Sequence, residues 1–82
     1  MTETELKRLI WRSRRGILEL DILLRPFAEQ ALSHLTAHQQ WQYARLMDQQ
    51  DADLFVWMTQ QQTPQDPDLV DIINMILNHV QP

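Results

Sequence analysis

The sequence is organised around one stretch, Trp11-Arg12-Ser13-Arg14-Arg15-Gly16-Ile17-Leu18-Glu19-Leu20-Asp21, which holds the only glycine in the chain. A helical pattern of apolar residues precedes this glycine and a second one follows it. Glycine is common just after a helix, because it adopts the left-handed backbone conformation without a Cβ penalty. We therefore predict that Gly16 ends a first helix spanning about residues 3–15, opened by a capping box at Thr2 and Glu5.

The strongest periodic pattern lies directly after this stretch and predicts a helix with one continuous buried face. Pro26 interrupts the pattern, and proline lacks the N–H that a helix interior requires. We expect a kink there, or a short turn from Leu18 to Arg25 followed by a restart. Apolar residues at steps of three and four make up the face: Leu20, Leu23, Leu24, Phe27, Ala28, Ala31, Leu32 and Leu35.

Three further helices are predicted in the remainder of the chain. Thr36 and Gln39 repeat the capping-box spacing and open a helix over roughly residues 37–49. Its predicted inward side chains are Trp41, Ala44 and Met47, with Leu46 as a further candidate.

Aspartates mark the last two helix starts. Asp51-Ala52-Asp53 is predicted to cap a short helix built on Leu54, Phe55, Trp57 and Met58. Asp66 and Pro67 supply a cap residue and a proline at the first helical position. The last helix is expected to bury Leu69, Val70, Ile72, Ile73, Ile76, Leu77 and Val80. Since no segment alternates with period two, the sequence predicts an all-α protein, a single small five-helix bundle in which residues 1–82 form one domain.

Composition and charge exclude some classes of protein and favour others. The chain has no cysteine, and its longest apolar run, residues 54–58, is far shorter than the roughly 20 residues of a membrane span. We expect a cytoplasmic protein without a membrane partner. Residues 1–25 carry six basic and four acidic side chains, a net +2, whereas residues 26–82 carry one and seven, a net −6. This asymmetry favours oriented docking to a protein partner.

The sequence gives little support for a catalytic, cofactor or metal site. A chain with a single glycine has neither a Walker loop nor a dinucleotide-binding fingerprint. His34 and His38 are four residues apart, but the predicted cap at Thr36 lies between them and no third ligand is near. His79 is interpreted as solvent-exposed. We therefore predict no enzyme activity, no metal site and no stably bound cofactor.

The basic side chains before the glycine permit two interpretations. Arg8, Arg12 and Arg15 follow spacings of four and three residues, and on one helix face they could contact phosphates. The acidic remainder of the chain argues against nucleic-acid binding, so we prefer a solvated helix face. Trp11 lies off the predicted inward line of this helix, as a rim residue or as an exposed binding anchor.

The sequence around these residues resembles that of a known family, the small assembly factors that promote covalent FAD attachment to the flavoprotein subunit of succinate dehydrogenase. The family signature Arg-Gly-x-x-Glu is present as Arg15-Gly16-Ile17-Leu18-Glu19. Flanking matches extend the resemblance over about residues 8–77: Trp11, Arg14, Glu19-Leu20-Asp21, Pro26-Phe27 and the block Asp51-Ala52-Asp53-Leu54-Phe55-Val56-Trp57.

The resemblance implies a five-helix chaperone that binds the unassembled flavoprotein subunit, while the chemistry of FAD attachment belongs to the client. Fumarate reductase's flavoprotein is a second candidate client, and we expect a monomer when the protein is free. The alternative is a regulatory module that binds nucleic acid or an antitoxin-type protein partner through the basic first helix. The residues expected to bind the client are Arg15, Gly16 and Glu19 at the centre, with Arg8, Trp11, Arg14 and Asp21 around them.

Overall fold

The computed structural model describes residues 1–79, which form five α-helices and no β-strand. The helices are α1 (Glu3–Arg12), α2 (Leu18–Gln30), α3 (Ala37–Met47), α4 (Asp51–Met58) and α5 (Pro67–His79), and a short 3₁₀ turn at Leu32–His34 precedes α3. The prediction of an all-α five-helix bundle is confirmed. No helix among these residues combines the length and the hydropathy needed to cross a membrane.

The end of α1 differs from the prediction. The capping box at Thr2 and Glu5 is present, but α1 ends at Arg12 and Ser13 is its C-cap in the right-handed helical region. The N–H of Ser13 donates to the carbonyls of Leu9 (3.0 Å) and Ile10 (3.2 Å). Gly16 does not have a positive φ. The prediction that Gly16 terminates the helix in a left-handed conformation is therefore wrong, because Ser13 already closes the last turn.

The second helix is one continuous element. α2 runs from Leu18 to Gln30 through Pro26, so the predicted restart after Arg25 is wrong. The carbonyl that loses its donor to Pro26 belongs to Ile22, whose side chain is 58 % exposed. A missing hydrogen bond costs least on such a solvent-facing side, where water replaces the donor. The apolar face is confirmed: Leu20, Leu24, Phe27, Ala28 and Leu32 are all buried.

The third helix buries Leu46 and Met47 as predicted, but its Trp41 faces outward. Its capping box at Thr36 and Gln39 is confirmed. Trp41, predicted to be inside, is 45 % exposed, and Ala44 is half-buried. The prediction failed because two polar side chains occupy inward positions, which apolar spacing does not reveal. The buried residues of α3 are Gln40, Gln42, Tyr43, Leu46 and Met47.

The last two helices complete the core. Gln50, not an aspartate, is the N-cap of α4, and Asp51 is its first helical residue, so the predicted aspartate cap is wrong. Leu54 and Met58 of this helix are buried, and Trp57 is half-buried against the core. The opening of α5 by Asp66 and Pro67 is confirmed, with Asp66 Oδ1 accepting from the N–H of Asp68 at 3.0 Å. Its buried side comprises Leu69, Ile72, Ile73 and Ile76, with Val70 and Leu77 half-buried, while Val80 lies outside the described residues.

Candidate partner-binding surface

The turn between α1 and α2, residues 13–17, is held against α3 by a buried serine. The hydroxyl of Ser13 donates to the carbonyl of Leu9 at 2.8 Å and shares a hydrogen bond with the phenol of Tyr43. Both side chains are fully buried. Burial raises the pKa of Tyr43 to about 12, although the hydrogen bond with Ser13 acts in the opposite direction. Hence the phenol stays neutral, and it fixes where α1 ends relative to α3.

Arg15 points into the protein. Its side chain is 15 % exposed, and Nη1 lies 3.3 Å from Oδ1 of Asp51. Nη2 donates to the carbonyl of Met47 at 2.6 Å, and Nε is buried without a hydrogen-bond partner within residues 1–79. The guanidinium that the sequence assigned to a client thus bonds the end of α3 and the start of α4.

A second arginine reaches the same carbonyl. Arg12 Nη2 donates to the carbonyl of Met47 at 3.1 Å and forms an ion pair with Asp48. Carbonyls at a helix C-terminus carry partial negative charge and attract cations. Because Arg12 and Arg15 both bond the Met47 carbonyl and pair with aspartates, they do not form a row of unpaired cations with Arg8, and nothing in this arrangement favours phosphate binding.

Three predicted residues on the α1 side remain at the surface. Arg8 and Arg14 are exposed, and Trp11 is 68 % exposed. The guanidinium of Arg14 lies over the indole of Trp11, 4.7 Å from the ring centroid. A shallow groove of about 350 Å³ runs beside this indole, lined by Thr4, Lys7, Arg8, Trp11 and Arg12. The groove combines an aromatic wall with a cationic rim.

Gly16 and Glu19 lie at the surface on the other side of the turn. A Cβ added to Gly16 would meet only Asp51 Oδ2, at an ordinary contact distance of 3.8 Å. Glu19 is exposed, and within residues 1–79 no cationic side chain lies within 4 Å of it. Asp21 is half-buried and pairs with Arg25 at 3.4 Å. Glu19 is therefore an acceptor left free for a partner.

Sequence reasoning missed two surface residues next to this site. Leu18 is 66 % exposed and Ile22 is 58 % exposed. They are one helical turn apart on α2, so they share a face that also passes Glu19. A signal was available, because both residues fall outside the apolar spacing that defines the buried face of this helix.

The histidines lie away from the turn. His38 is 3.4 Å from Asp68, and among residues 1–79 no group of three potential ligands could hold a metal ion. His79 is half-buried, contacting the edge of Phe27 and lying 3.1 Å from Oε1 of Gln30. The interpretation of His79 as simply solvent-exposed is therefore wrong.

Comparison with known proteins identifies the family. A family model described as flavinator of succinate dehydrogenase matches residues 7–80. An FAD assembly factor SdhE of Pseudomonas aeruginosa is 49 % identical over 98 % of this chain and 95 % of its own length. The corresponding factor of Pseudomonas putida is 42 % identical over the same shares. A solution structure of a UPF0350 protein superposes with a TM-score of 0.76 at 34 % identity, covering 96 % of this chain and 85 % of that one. This chain therefore belongs to the family of flavinators of succinate dehydrogenase.

Proposed function

We propose that this protein is a non-catalytic assembly factor that binds the flavoprotein subunit of succinate dehydrogenase and promotes its covalent FAD attachment. The proposal follows the description of the family, flavinator of succinate dehydrogenase, and the name of its relatives, FAD assembly factor. The observation that carries it is the exposed Glu19, which pairs with no cation among residues 1–79, beside an exposed Gly16 on an anchored turn. We include the flavoprotein of fumarate reductase as a second client, and propose a cytoplasmic factor that is monomeric when free.

The surface residues contact the client in different ways, according to their chemistry. Glu19 accepts a hydrogen bond from a donor of the client, and Gly16 lets the client backbone come close because it has no side chain. Trp11 supplies a rigid aromatic anchor of the kind enriched in binding hot spots. Arg8 and Arg14 supply charge at the rim, where it affects association rate more than affinity.

The factor assists the reaction by positioning. Docking restrains the client so that its acceptor histidine and its bound FAD are held in reactive geometry. The flavin supplies the chemistry, and the client supplies the histidine. The factor holds no cofactor in this scheme.

A pull-down with two glycine variants tests the proposal. Gly16→Ala adds a Cβ at ordinary contact distance, and the backbone needs no positive φ, so both Gly16→Ala and Gly16→Arg are expected to fold. Wild type and Gly16→Ala should retain the flavoprotein subunit, whereas Gly16→Arg should lose it because the long side chain stands in the interface. Circular dichroism checks folding, and fluorescence of covalent flavin in the denatured subunit reports attachment.

The outcomes are distinct. Loss of the client and of covalent flavin with Gly16→Arg alone supports the proposal. A folded Gly16→Arg protein that retains the client, or that fails to bind it and still supports full flavin attachment, contradicts the proposal. Retention of nucleic acid alone by the wild type would favour the regulatory alternative.

A further inference from the structure

We propose that Arg15 is a positioning residue: through Asp51 and the Met47 carbonyl it ties the α1–α2 turn to the junction of α3 and α4, and so orients Gly16 and Glu19. The consequence for binding rests on the proposed function. The tie itself is a property of the free protein and is testable without a client. It also assigns a role to Asp51, which the sequence treated only as part of a helix cap.

The contacts of Arg15 join three elements. Met47 is the last residue of α3 and Asp51 is the first residue of α4. Nη2 bonds the carbonyl of the former at 2.6 Å, while Nη1 pairs with the carboxylate of the latter at 3.3 Å. One planar guanidinium thus links a helix end, a helix start and the turn before α2. A lysine at this position would offer a single point charge and could not reproduce both contacts.

Little of the guanidinium remains for a client. The side chain is 15 % exposed, and its Nε is buried. A client carboxylate that approached Arg15 would also meet the carboxylate of Asp51, and like charges at that distance repel. The exposed cation at the turn is the preceding residue, Arg14, which lies over Trp11. Adjacent arginines therefore have different roles.

Asp51 faces the signature residues with both of its oxygens. Oδ1 pairs with Arg15, and Oδ2 is the atom nearest to where a Cβ of Gly16 would stand, at 3.8 Å. Removing this carboxylate leaves Arg15 held only by the Met47 carbonyl and also opens space beside Gly16. The other residues that tie the turn to α3, Ser13 and Arg12, precede Arg15 in the sequence. Arg15 is thus the tie closest to Gly16.

A double-mutant cycle separates positioning from direct contact. Arg15→Ala, Asp51→Ala and the double variant are compared for binding to purified flavoprotein subunit. If the pair acts as one tie, each single variant should lose affinity about tenfold, the usual order for a charge-assisted pair. The double variant should lose no more than the larger single effect, because both changes break the same tie.

Two control variants separate the tie from general destabilisation. Asp53→Ala makes the same charge change in the first turn of α4, on an exposed side chain, and should leave affinity within about twofold. Arg45→Ala removes an arginine that pairs with Asp66 and Asp68 of the α5 start, and should likewise preserve affinity. A merely structural role for Arg15 predicts that Arg45→Ala weakens client binding comparably.

Hydrogen exchange in the free protein tests the tie directly. The amides of Leu20 and Asp21 donate to the Ile17 carbonyl at 3.1 Å and report the start of α2. Arg15→Ala and Asp51→Ala should each speed their exchange about tenfold, whereas Asp53→Ala should not. Unchanged exchange in Asp51→Ala overturns the tie.

Binding supplies the second possible refutation. Loss of affinity in Arg15→Ala with none in Asp51→Ala would show that the pair with Asp51 does not orient the turn, and would overturn the proposal. Should wild-type protein fail to bind any flavoprotein subunit, the proposed function fails while the exchange result still decides the tie.

Discussion

Two regions of the molecule contain the same residue types but differ in function. In the α1–α2 turn, Arg15 pairs with Asp51, and neighbouring Arg14 stacks on Trp11. In the second region, which we call the α3–α5 clasp (His38, Trp41, Arg45, Asp66 and Asp68), the guanidinium of Arg45 lies 5.1 Å from the Trp41 ring centroid. The same arginine pairs with both aspartates. Each region thus joins two elements through an arginine and an acid.

The difference lies in what each region leaves unpaired. In the clasp, His38 stacks on Trp41 with ring centroids 5.4 Å apart, and it also approaches Asp68. The polar groups of the clasp therefore pair with one another. In the turn, one arginine of the adjacent pair is buried, while the glycine and glutamate that follow remain exposed. We infer that internal pairing marks a structural joint, whereas an anchored segment with free groups marks a docking surface.

Replacing Phe27 should have the largest effect, because the core that it shares with α3 and α5 underlies both regions. Its ring is 2 % exposed and lies 5.6 Å from Tyr43, which holds the turn, and 5.5 Å from His79 at the end of α5. We expect Phe27→Ala to lower the free energy of unfolding by about 3–5 kcal/mol through lost burial and a cavity. Urea unfolding followed by circular dichroism measures this loss.

A matched change at the surface provides the control for that prediction. Leu18→Ala removes an apolar side chain that is 66 % exposed, and it should change the free energy of unfolding by about 0.5 kcal/mol or less. Equal losses from the two variants would contradict the assignment of Phe27 to the shared core.

Alkaline pH should weaken the turn before it weakens the clasp. The pKa of Tyr43 rises from 10.0 to about 12 through burial, so the folded protein favours the neutral phenol. This contribution to stability is complete below pH 10 and is lost as the pH rises through about 12. The loss is about 3 kcal/mol, since each pKa unit corresponds to about 1.4 kcal/mol. Urea unfolding at pH 9 to 12 measures it.

The comparison variant for the alkaline prediction is Tyr43→Phe. It loses the hydrogen bond to Ser13 and is less stable at neutral pH, but it has no phenol to ionise. Its stability should therefore fall less steeply between pH 10 and 12 than that of the wild type. Parallel pH profiles for the two proteins would show that Tyr43 does not carry this dependence.

The helices were predictable because their starts depend on local chemistry. The capping boxes at Thr2 and Thr36 and the Asp66-Pro67 opening satisfy backbone groups within a few residues. The face of α3 was not predictable in this way. Gln40 is buried because it donates to the Leu32 carbonyl at 3.0 Å, a partner outside the helix that spacing cannot reveal.

The turn was predictable in position, but the direction of each of its side chains was not. The sequence correctly indicated a turn near Gly16, yet nothing local shows that Arg15 turns inward while Arg14 turns outward. That choice depends on Met47 and Asp51, more than thirty residues away in the chain. Long-range partners decide which member of a run of like residues remains available for binding.

Substitutions that break the ion pairs at the surface should have the smallest effects on stability. The pH dependence of these effects further distinguishes the clasp from the turn. Arg45 donates a hydrogen bond to Asp66 and so lowers the pKa of that carboxyl below 3.8. A lowered pKa means that this pairing stabilises the protein above pH 3.8 and is lost as the pH falls through the lower folded value. Asp66→Asn keeps a good helix cap, so it should lower the urea midpoint slightly at pH 7 and hardly at all near pH 2.

The matched substitution in the turn is Asp48→Asn, which breaks the pair with Arg12. Both side chains of that pair are well exposed, at 44 % and 65 %, and such pairs contribute about 0.2–1 kcal/mol, less at high salt. Its effect should disappear in about 1 M salt, where screening acts within roughly 3 Å. If Asp48→Asn destabilised the protein more than Phe27→Ala, the Arg12 contact would be a principal anchor of the turn, and the inward Arg15 would no longer explain how Gly16 is held.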